Sequence, residues 1–296
     1  SDAVSPAAPR GIFAGGFTGS SGSNVMDYIS ITSTGNANDF GDLSATLYNH
    51  GGFSSSTRGI TGGGLLGGSV TNVIEYVTIA TTGNSTDFGD LLNTIFGNSG
   101  CANSTRGLIL GGYTAPNIQD LIQYVTIATT GNSTDFGNLL SAQRYLCGTL
   151  ASPTRGVSSG GEGAGNAQSN VIQYITIATT GNATDFGDLS AGSSTGSSSC
   201  NSTRGLIALG YSGSTVNTVE YITIASTGNS IDFGNLTTVR KYTGSTSGGD
   251  RAVVGGGENS GALNTIDYFT ITSAGNATDF GDLTVARGRS STMSNA

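Results

Sequence analysis

The residues of this chain that could do chemistry come in sixes. An aspartate opens the tripeptide Asp-Phe-Gly at Asp39, Asp87, Asp135, Asp185, Asp232 and Asp279. An arginine recurs once per repeat, at Arg10, Arg58, Arg106, Arg155, Arg204 and Arg251. Asp-Phe-Gly can hold magnesium in phosphoryl transfer, but that chemistry also needs a Gly-rich loop, a strand lysine and a His-Arg-Asp loop. One lysine, Lys241, and one histidine, His50, cannot supply these parts, and the tripeptide occurs six times, so this reading is excluded. Gly192-Ser-Ser-Thr-Gly196 fits the Gly-x-Ser-x-Gly pattern of a nucleophile elbow, yet it lies in a Ser/Gly tract with no strand-to-helix context. Cys101, Cys147 and Cys200 are odd in number and form no disulfide framework. They read as small apolar side chains near a crowded axis. No Cys/His set has zinc spacing and no Asp-rich loop has calcium spacing. The expectation is a non-enzyme with no catalytic residue, no metal and no cofactor.

The recurring charges suggest a structural use instead. Alternation along antiparallel strands puts the turn before each Arg and the turn before each Asp on one rim. Each of the six arginines is therefore expected to pair with an aspartate of its own or the neighbouring unit. Partly exposed pairs contribute roughly 0 to 1 kcal/mol each, so they would fix register more than stability. A ring of arginines binding an anion is the alternative, and the six matched carboxylates argue against it. Asn84, Asn132, Asn182 and Asn276 begin Asn-x-Ser/Thr sequons, but turn chemistry accounts for them.

These residues are carried by one stretch, Tyr76-Val-Thr-Ile-Ala-Thr-Thr-Gly-Asn-Ser-Thr-Asp-Phe-Gly-Asp-Leu91, repeated six times with small changes. The anchor tyrosines are Tyr28, Tyr76, Tyr124, Tyr174, Tyr221 and Tyr268, and a phenylalanine follows each after 12 residues. The period itself varies between 47 and 50 residues. A fixed block inside a variable period marks a repeat architecture. In the second unit, Arg58-Gly-Ile-Thr-Gly-Gly-Gly reads as a short strand ending in glycines. Val70 to Ala80 alternates with β-branched enrichment and reads as a strand covered on both faces. Thr82-Gly-Asn reads as a tight hairpin turn, because Gly and Asn tolerate positive φ. Thr86 to Leu91 returns as a third strand. The small-residue run before the next arginine reads as a fourth, suited to the narrow centre of a ring.

Four strands in about 48 residues, with no helical periodicity, is the pattern of a propeller blade. The chain ends are out of phase. Only nine residues precede Arg10, while 13 follow Leu283, so the C-terminus carries the piece that the first unit lacks. The expected fold is all-β: one domain over 1–296, a six-bladed β-propeller of four-stranded antiparallel blades. Its units start at the six arginines, and the C-terminal strand completes the first blade.

Composition narrows the partners. The net charge is −8 and charged residues are 10 %, so no phosphate backbone is attracted and nucleic acid is excluded. No run of about 18 apolar residues exists, so no helical membrane insertion is expected. Ser1 to Pro6 shows no basic or apolar region of a leader. The 49 glycines would fit a disordered linker, but apolar residues recur in phase with the repeat.

At this point the chain resembles kelch-type propeller repeats. The glycine doublet stands at Gly15-Gly16, Gly63-Gly64, Gly111-Gly112, Gly160-Gly161 and Gly256-Gly257, with Leu209-Gly210 in the fifth unit. Tryptophan is absent, and the phenylalanine of Asp-Phe-Gly stands in its place. The wording Tyr-Val-Thr-Ile-Ala-Thr-Thr-Gly-Asn-Ser-Thr-Asp-Phe-Gly-Asp-Leu with Ser-Thr-Arg-Gly also looks like repeats in structural and tail-fibre-like proteins of marine bacteriophages, cyanophages especially. That resemblance implies a virion component, with other virion proteins or a host-surface glycan as partners. It implies no chemistry. Self-association is left open.

Arg-to-Tyr distances run 18, 18, 18, 19, 17 and 17, so length variation falls on the loops after the glycines. Variation on one face of a rigid scaffold is where such repeats bind. Phe17, Leu65, Tyr113, Glu162, Tyr211 and Glu258 stand there and break the six-fold equivalence. As a set they would offer aromatic faces and two acceptors, which suits sugars; plugging the channel mouth is the alternative. The functional expectation is a virion structural or fibre-associated module making protein or glycan contacts. A secreted lectin-like propeller is the second reading. A kelch-type enzyme of the galactose-oxidase kind comes third, because one histidine cannot complete its metal set.

Overall fold

The computed structural model describes residues 8–296; Ser1–Ala7, the segment read for a leader, lies outside the described residues. The chain is all-β, with six four-stranded antiparallel sheets and two small ones. Sheet 1 joins Ser291–Ser294, Arg10–Phe17, Gly22–Ser30 and Asn38–Asp42, in that spatial order. Sheet 2 joins Gly51–Ser54, Arg58–Gly62, Val73–Thr78 and Thr86–Asp90. Sheets 3 to 6 repeat this plan, their second strands opening at Arg106, Arg155, Arg204 and Arg251. The C-terminal strand pairs with the N-terminal one, Gly11 opposite Ser294 and Ala14 opposite Ser291.

The first strands are rich in small residues, as in Ser99–Ala102 and Ser197–Cys200, with Phe53, Leu150 and Met293 the large exceptions. The first strands of successive sheets lie against one another, and the series returns from sheet 6 to sheet 1. Small side chains permit that approach. The core is divided into six clusters, each between two successive sheets. Phe53, Ile60, Ile74 and Phe88 of sheet 2 pack on Ile109, Val125 and Ile127 of sheet 3. The sixth cluster joins Val253, Ile266 and Phe280 of sheet 6 to Phe13, Ile29 and Ile31 of sheet 1. Burying side chains of this size stabilises by roughly 1.5–3 kcal/mol each, and it happens only if neighbouring sheets stack. Cys101 and Cys147 belong to these clusters as read, and Cys200, half-buried, packs against the cluster of Cys147.

The Tyr-to-Phe spacing sets an edge-to-face aromatic pair in every sheet, with centroids 5.9–6.2 Å apart. The repeat arginine lies over the ring of each tyrosine at 4.2–4.7 Å. Its Nη1 then reaches the next sheet. Arg58 donates to the Ile127 carbonyl, Arg106 to Ile177, and Arg251 to Ile31 of the first sheet. This corrects the expected pairing of Arg10, Arg58, Arg106, Arg155, Arg204 and Arg251 with Asp39, Asp87, Asp135, Asp185, Asp232 and Asp279. The arginine lies flat along the sheet toward a carbonyl, while the aspartates sit exposed on the fourth strand. The four ion pairs among the described residues use other partners.

The Thr-Gly-Asn stretch also differs from the expected hairpin turn. The chain reverses earlier, where the Thr81 amide donates to the Thr78 carbonyl. Gly83 and Ser85 then run beside the fourth strand of the preceding sheet, donating to Phe40 and Asp42 at 2.7 and 2.9 Å. Asn84 Oδ1 accepts the Asp42 amide at 3.0 Å, and Asn132, Asn182, Asn229, Asn276 and Asn36 do the same around the molecule. This strap covers the exposed strand edge, which would otherwise invite pairing with other chains. It also explains the glycine of Asp-Phe-Gly. A Cβ on Gly281 would meet the Gly35 carbonyl at 2.5 Å.

A last set of contacts between sheets comes from the residue before each tyrosine. Asp27, Glu75, Gln123, Gln173, Glu220 and Asp267 accept the amide of the residue that follows the leucine of the preceding sheet. Where that residue is Ser190, Thr237 or Thr284, its hydroxyl donates as well and the acceptor is a carboxylate. Where it is Leu92 or Leu140, the acceptor is a neutral glutamine. Ser44 departs from this pattern: only its amide donates to Glu75, and among the described residues Glu75 Oε2 and Gln123 Nε2 are buried without a partner.

Candidate binding face at the cavity mouth

The first strands enclose a cavity of about 980 Å3, lined by residues such as Gly52, Ser54, Thr149, Ser198, Ser245 and Thr292. At one end its lining passes into exposed turns, including Ser56, Ser104, Pro153 and Ser202. The other end is built by the two sets of loops that follow the second and fourth strands.

There the six residues expected to bind do meet the chain. Each opposes a residue in the loop that leads into a first strand: Phe17 with Gly288, Leu65 with Tyr48, Tyr113 with Phe96, Glu162 with Arg144, Tyr211 with Ser194, and Glu258 with Lys241. The next residues along form a circle. Gly97 N–H donates to Asn49 O, Tyr145 to Gly97, Thr195 to Tyr145, Tyr242 to Thr195, Arg289 to Tyr242 and Asn49 to Arg289, at 2.6–3.1 Å. All six have φ between 50° and 68°, five of them without being glycine. Such residues cost of order 1–3 kcal/mol each and persist where surrounding structure enforces them.

The side chains on this circle are not equivalent. Tyr145 and Tyr242 stand edge to face at 5.9 Å. Arg289 lies 4.3 Å from the Tyr242 ring and 5.2 Å from Phe17, and binds Glu258 at 2.7 Å. Arg144 lies 5.1 Å from Tyr113 and 5.3 Å from Tyr145, and binds Glu162 at 2.6 Å. Lys241 Nζ sits 5.2 Å from Tyr211 and 5.5 Å from Tyr242. Phe96 packs on Tyr113 and Phe17 on Tyr48. Leu65 alone of the expected set takes no part in this aromatic and charged cluster. Burial and the facing Tyr242 push the Tyr145 phenol up to about 12, and burial raises Tyr242 likewise, so both stay neutral.

Two buried ion pairs lie just behind the circle. Arg240 bonds Asp267 at 2.8 Å, and Arg287 bonds Asp27 at 2.9 Å, all four side chains being wholly buried. Each arginine also donates to backbone carbonyls, Arg240 to Thr265 and Val254, Arg287 to Phe13. Each stands two residues before a circle residue, Tyr242 or Arg289. These pairs anchor the loops that carry the only arginine and one of the two tyrosines on the circle.

Inside the mouth, His50 is 6 % exposed and lines the cavity. Burial lowers its pKa to about 3, and the Ala14 backbone opposes this without meeting hydrogen-bond geometry. Burial raises all three cysteine thiols, Cys101 to about 12. Ser194, centre of the Gly-x-Ser-x-Gly match, is buried beside the circle residue Thr195. Among the described residues no group of His, Cys, Asp and Glu could hold a metal ion.

Sequence reasoning found the loop opposite the circle but not the circle itself. A positional signal was present: each circle residue follows the leucine of the Phe strand by six positions, Leu43 to Asn49 through Leu283 to Arg289. Residue type gave none, because the six are Asn, Gly, Tyr, Thr, Tyr and Arg. No protein-family model and no curated protein matches the chain.

Proposed function

We propose that the six sheets are the blades of a closed, kelch-like β-propeller, and that the chain is a non-enzymatic contact module. Its contact face is the Tyr145–Tyr242 mouth, and its ligand a saccharide on a host surface. The observation that carries this is where the repeat breaks. Arg–Tyr–Phe stacks, Asn straps and acceptor latches recur in all six sheets, while the mouth gathers tyrosines, cations and carboxylates that do not repeat. Tyrosine offers a flat apolar face and a polar tip at low entropic cost, which suits a sugar ring.

The state of the chain's one histidine supports a binding role over catalysis. His50 is neutral there, and general acid–base work needs a pKa near the operating pH. The resemblance of the repeat wording to phage structural and tail-fibre-like proteins supports placement in a virion; a secreted lectin-like module would use the same face.

A glycan array probed with the wild type and with Tyr145→Ala and Tyr242→Ala tests the face. Selective glycan binding that both substitutions weaken supports the proposal; binding to no glycan removes it. Antibody detection in purified virions tests the setting.

A further inference from the structure

Resting on the saccharide reading of the mouth, we infer that this site takes an acidic sugar and holds its carboxylate on Lys241. Of the 11 Lys and Arg, the six repeat arginines are stacked on tyrosines and spent on carbonyls, and Arg240 and Arg287 are buried against aspartates. The three that remain, Arg144, Lys241 and Arg289, all stand at the mouth. Two face carboxylates, Glu162 and Glu258. Lys241 forms no ion pair among the described residues. Glu258 opposes it across the strand bridge, but both carboxylate oxygens are held by Arg289, at 2.7 and 3.2 Å.

The mouth is thus one positive charge in excess on a chain of net charge −8. The spare cation lies over two rings, Tyr211 at 5.2 Å and Tyr242 at 5.5 Å, whose hydroxyls make no hydrogen bond among the described residues. A sugar ring stacked on a tyrosine face would present its hydroxyls to these phenols. A carboxylate on that ring would meet the ammonium and gain a charge-assisted bond, about twice as strong as a neutral one. A neutral sugar leaves the ammonium without a partner. An acidic peptide offers the carboxylate but lacks the ring for the aromatic face.

The test is a titration of the full chain with tetragalacturonic acid, its methyl ester and tetraglutamate, following the Tyr145 and Tyr242 ring signals by NMR. The acid is expected to move these signals and to bind at least about tenfold tighter than the ester, as a hydrogen bond to a charged group allows. Lys241→Met should abolish that preference and Lys241→Arg should keep it. Equal affinity for acid and ester overturns the Lys241 assignment and leaves the saccharide face standing. Signals moved by neither sugar overturn both. Tetraglutamate binding as tightly as the acid assigns the mouth to a protein partner and overturns the inference.

Discussion

Arg251 donates through Nη1 to the carbonyl of Ile31 at 3.2 Å, across 220 residues of sequence, and so ties the last sheet to the first. The same bond joins every other neighbouring pair of sheets. It combines a hydrogen bond to a charged donor with a cation–π contact, of order 1–2 kcal/mol together at a half-buried site. Arg106→Met should therefore lower unfolding free energy by about 1–2 kcal/mol, whereas Asp135→Asn should change it by less than about 0.5 kcal/mol. Urea titration separates the two; equal losses would restore the arginine–aspartate pairing.

The glycine of Asp-Phe-Gly is required by the neighbouring strap. A Cβ on Gly234 would press into the carbonyl of Gly275, while a Cβ on Gly275 meets nothing. Gly234→Ala should cost more than about 2 kcal/mol and Gly275→Ala less than about 1 kcal/mol. Similar thermal midpoints for both variants would contradict the strap contact.

The two buried ion pairs should behave asymmetrically. Asp267→Asn leaves Arg240 buried without its counter-charge and should cost about 3–5 kcal/mol. The double change Arg240→Met with Asp267→Leu should recover most of that loss. A double-mutant cycle measures it, and additive losses would mean the pair is not a unit.

How much of this was legible in the sequence depended on whether a feature was local. Tyr76 and Phe88 report their own hairpin, so the strands, their alternation and the pairing of Ser291–Ser294 with Arg10–Phe17 follow from spacing. Arg58 and Asn84 point out of their own sheet, to Ile127 and to Asp42, and nothing in one repeat says so. The match of Thr237 with Asp267 and of Leu92 with Gln123 is visible only once adjacent repeats are set side by side. The mouth was half legible: Tyr211 and Glu258 break the repeat openly, but Tyr145 and Tyr242 enter through a backbone circle that no residue type marks.

Acid should destabilise the fold through His50. Its pKa is 6.5 in an ordinary setting and about 3 when buried here. Between these values the unfolded chain binds a proton that the folded chain refuses. Stability is unaffected by this group above about pH 6.5 and falls as pH drops toward 3, by up to about 1.4 kcal/mol per pH unit. Unfolding free energy should therefore decline more steeply in the wild type than in His50→Asn between about pH 6 and about pH 4. Parallel curves would place a protonated imidazole in the folded cavity.

The pairing of chain end with chain start supports everything described at the mouth, since Arg287 and Arg289 lead directly into Ser291–Ser294. Amide hydrogen exchange along Arg10–Phe17, compared between the full chain and a chain ending at Arg289, measures that pairing. Exchange along this strand should match the slow exchange of Arg106–Leu110 in the full chain and become fast in the shortened one. Unchanged protection after the deletion would mean that the first sheet is complete without its C-terminal strand, and the proposed closed propeller would be contradicted.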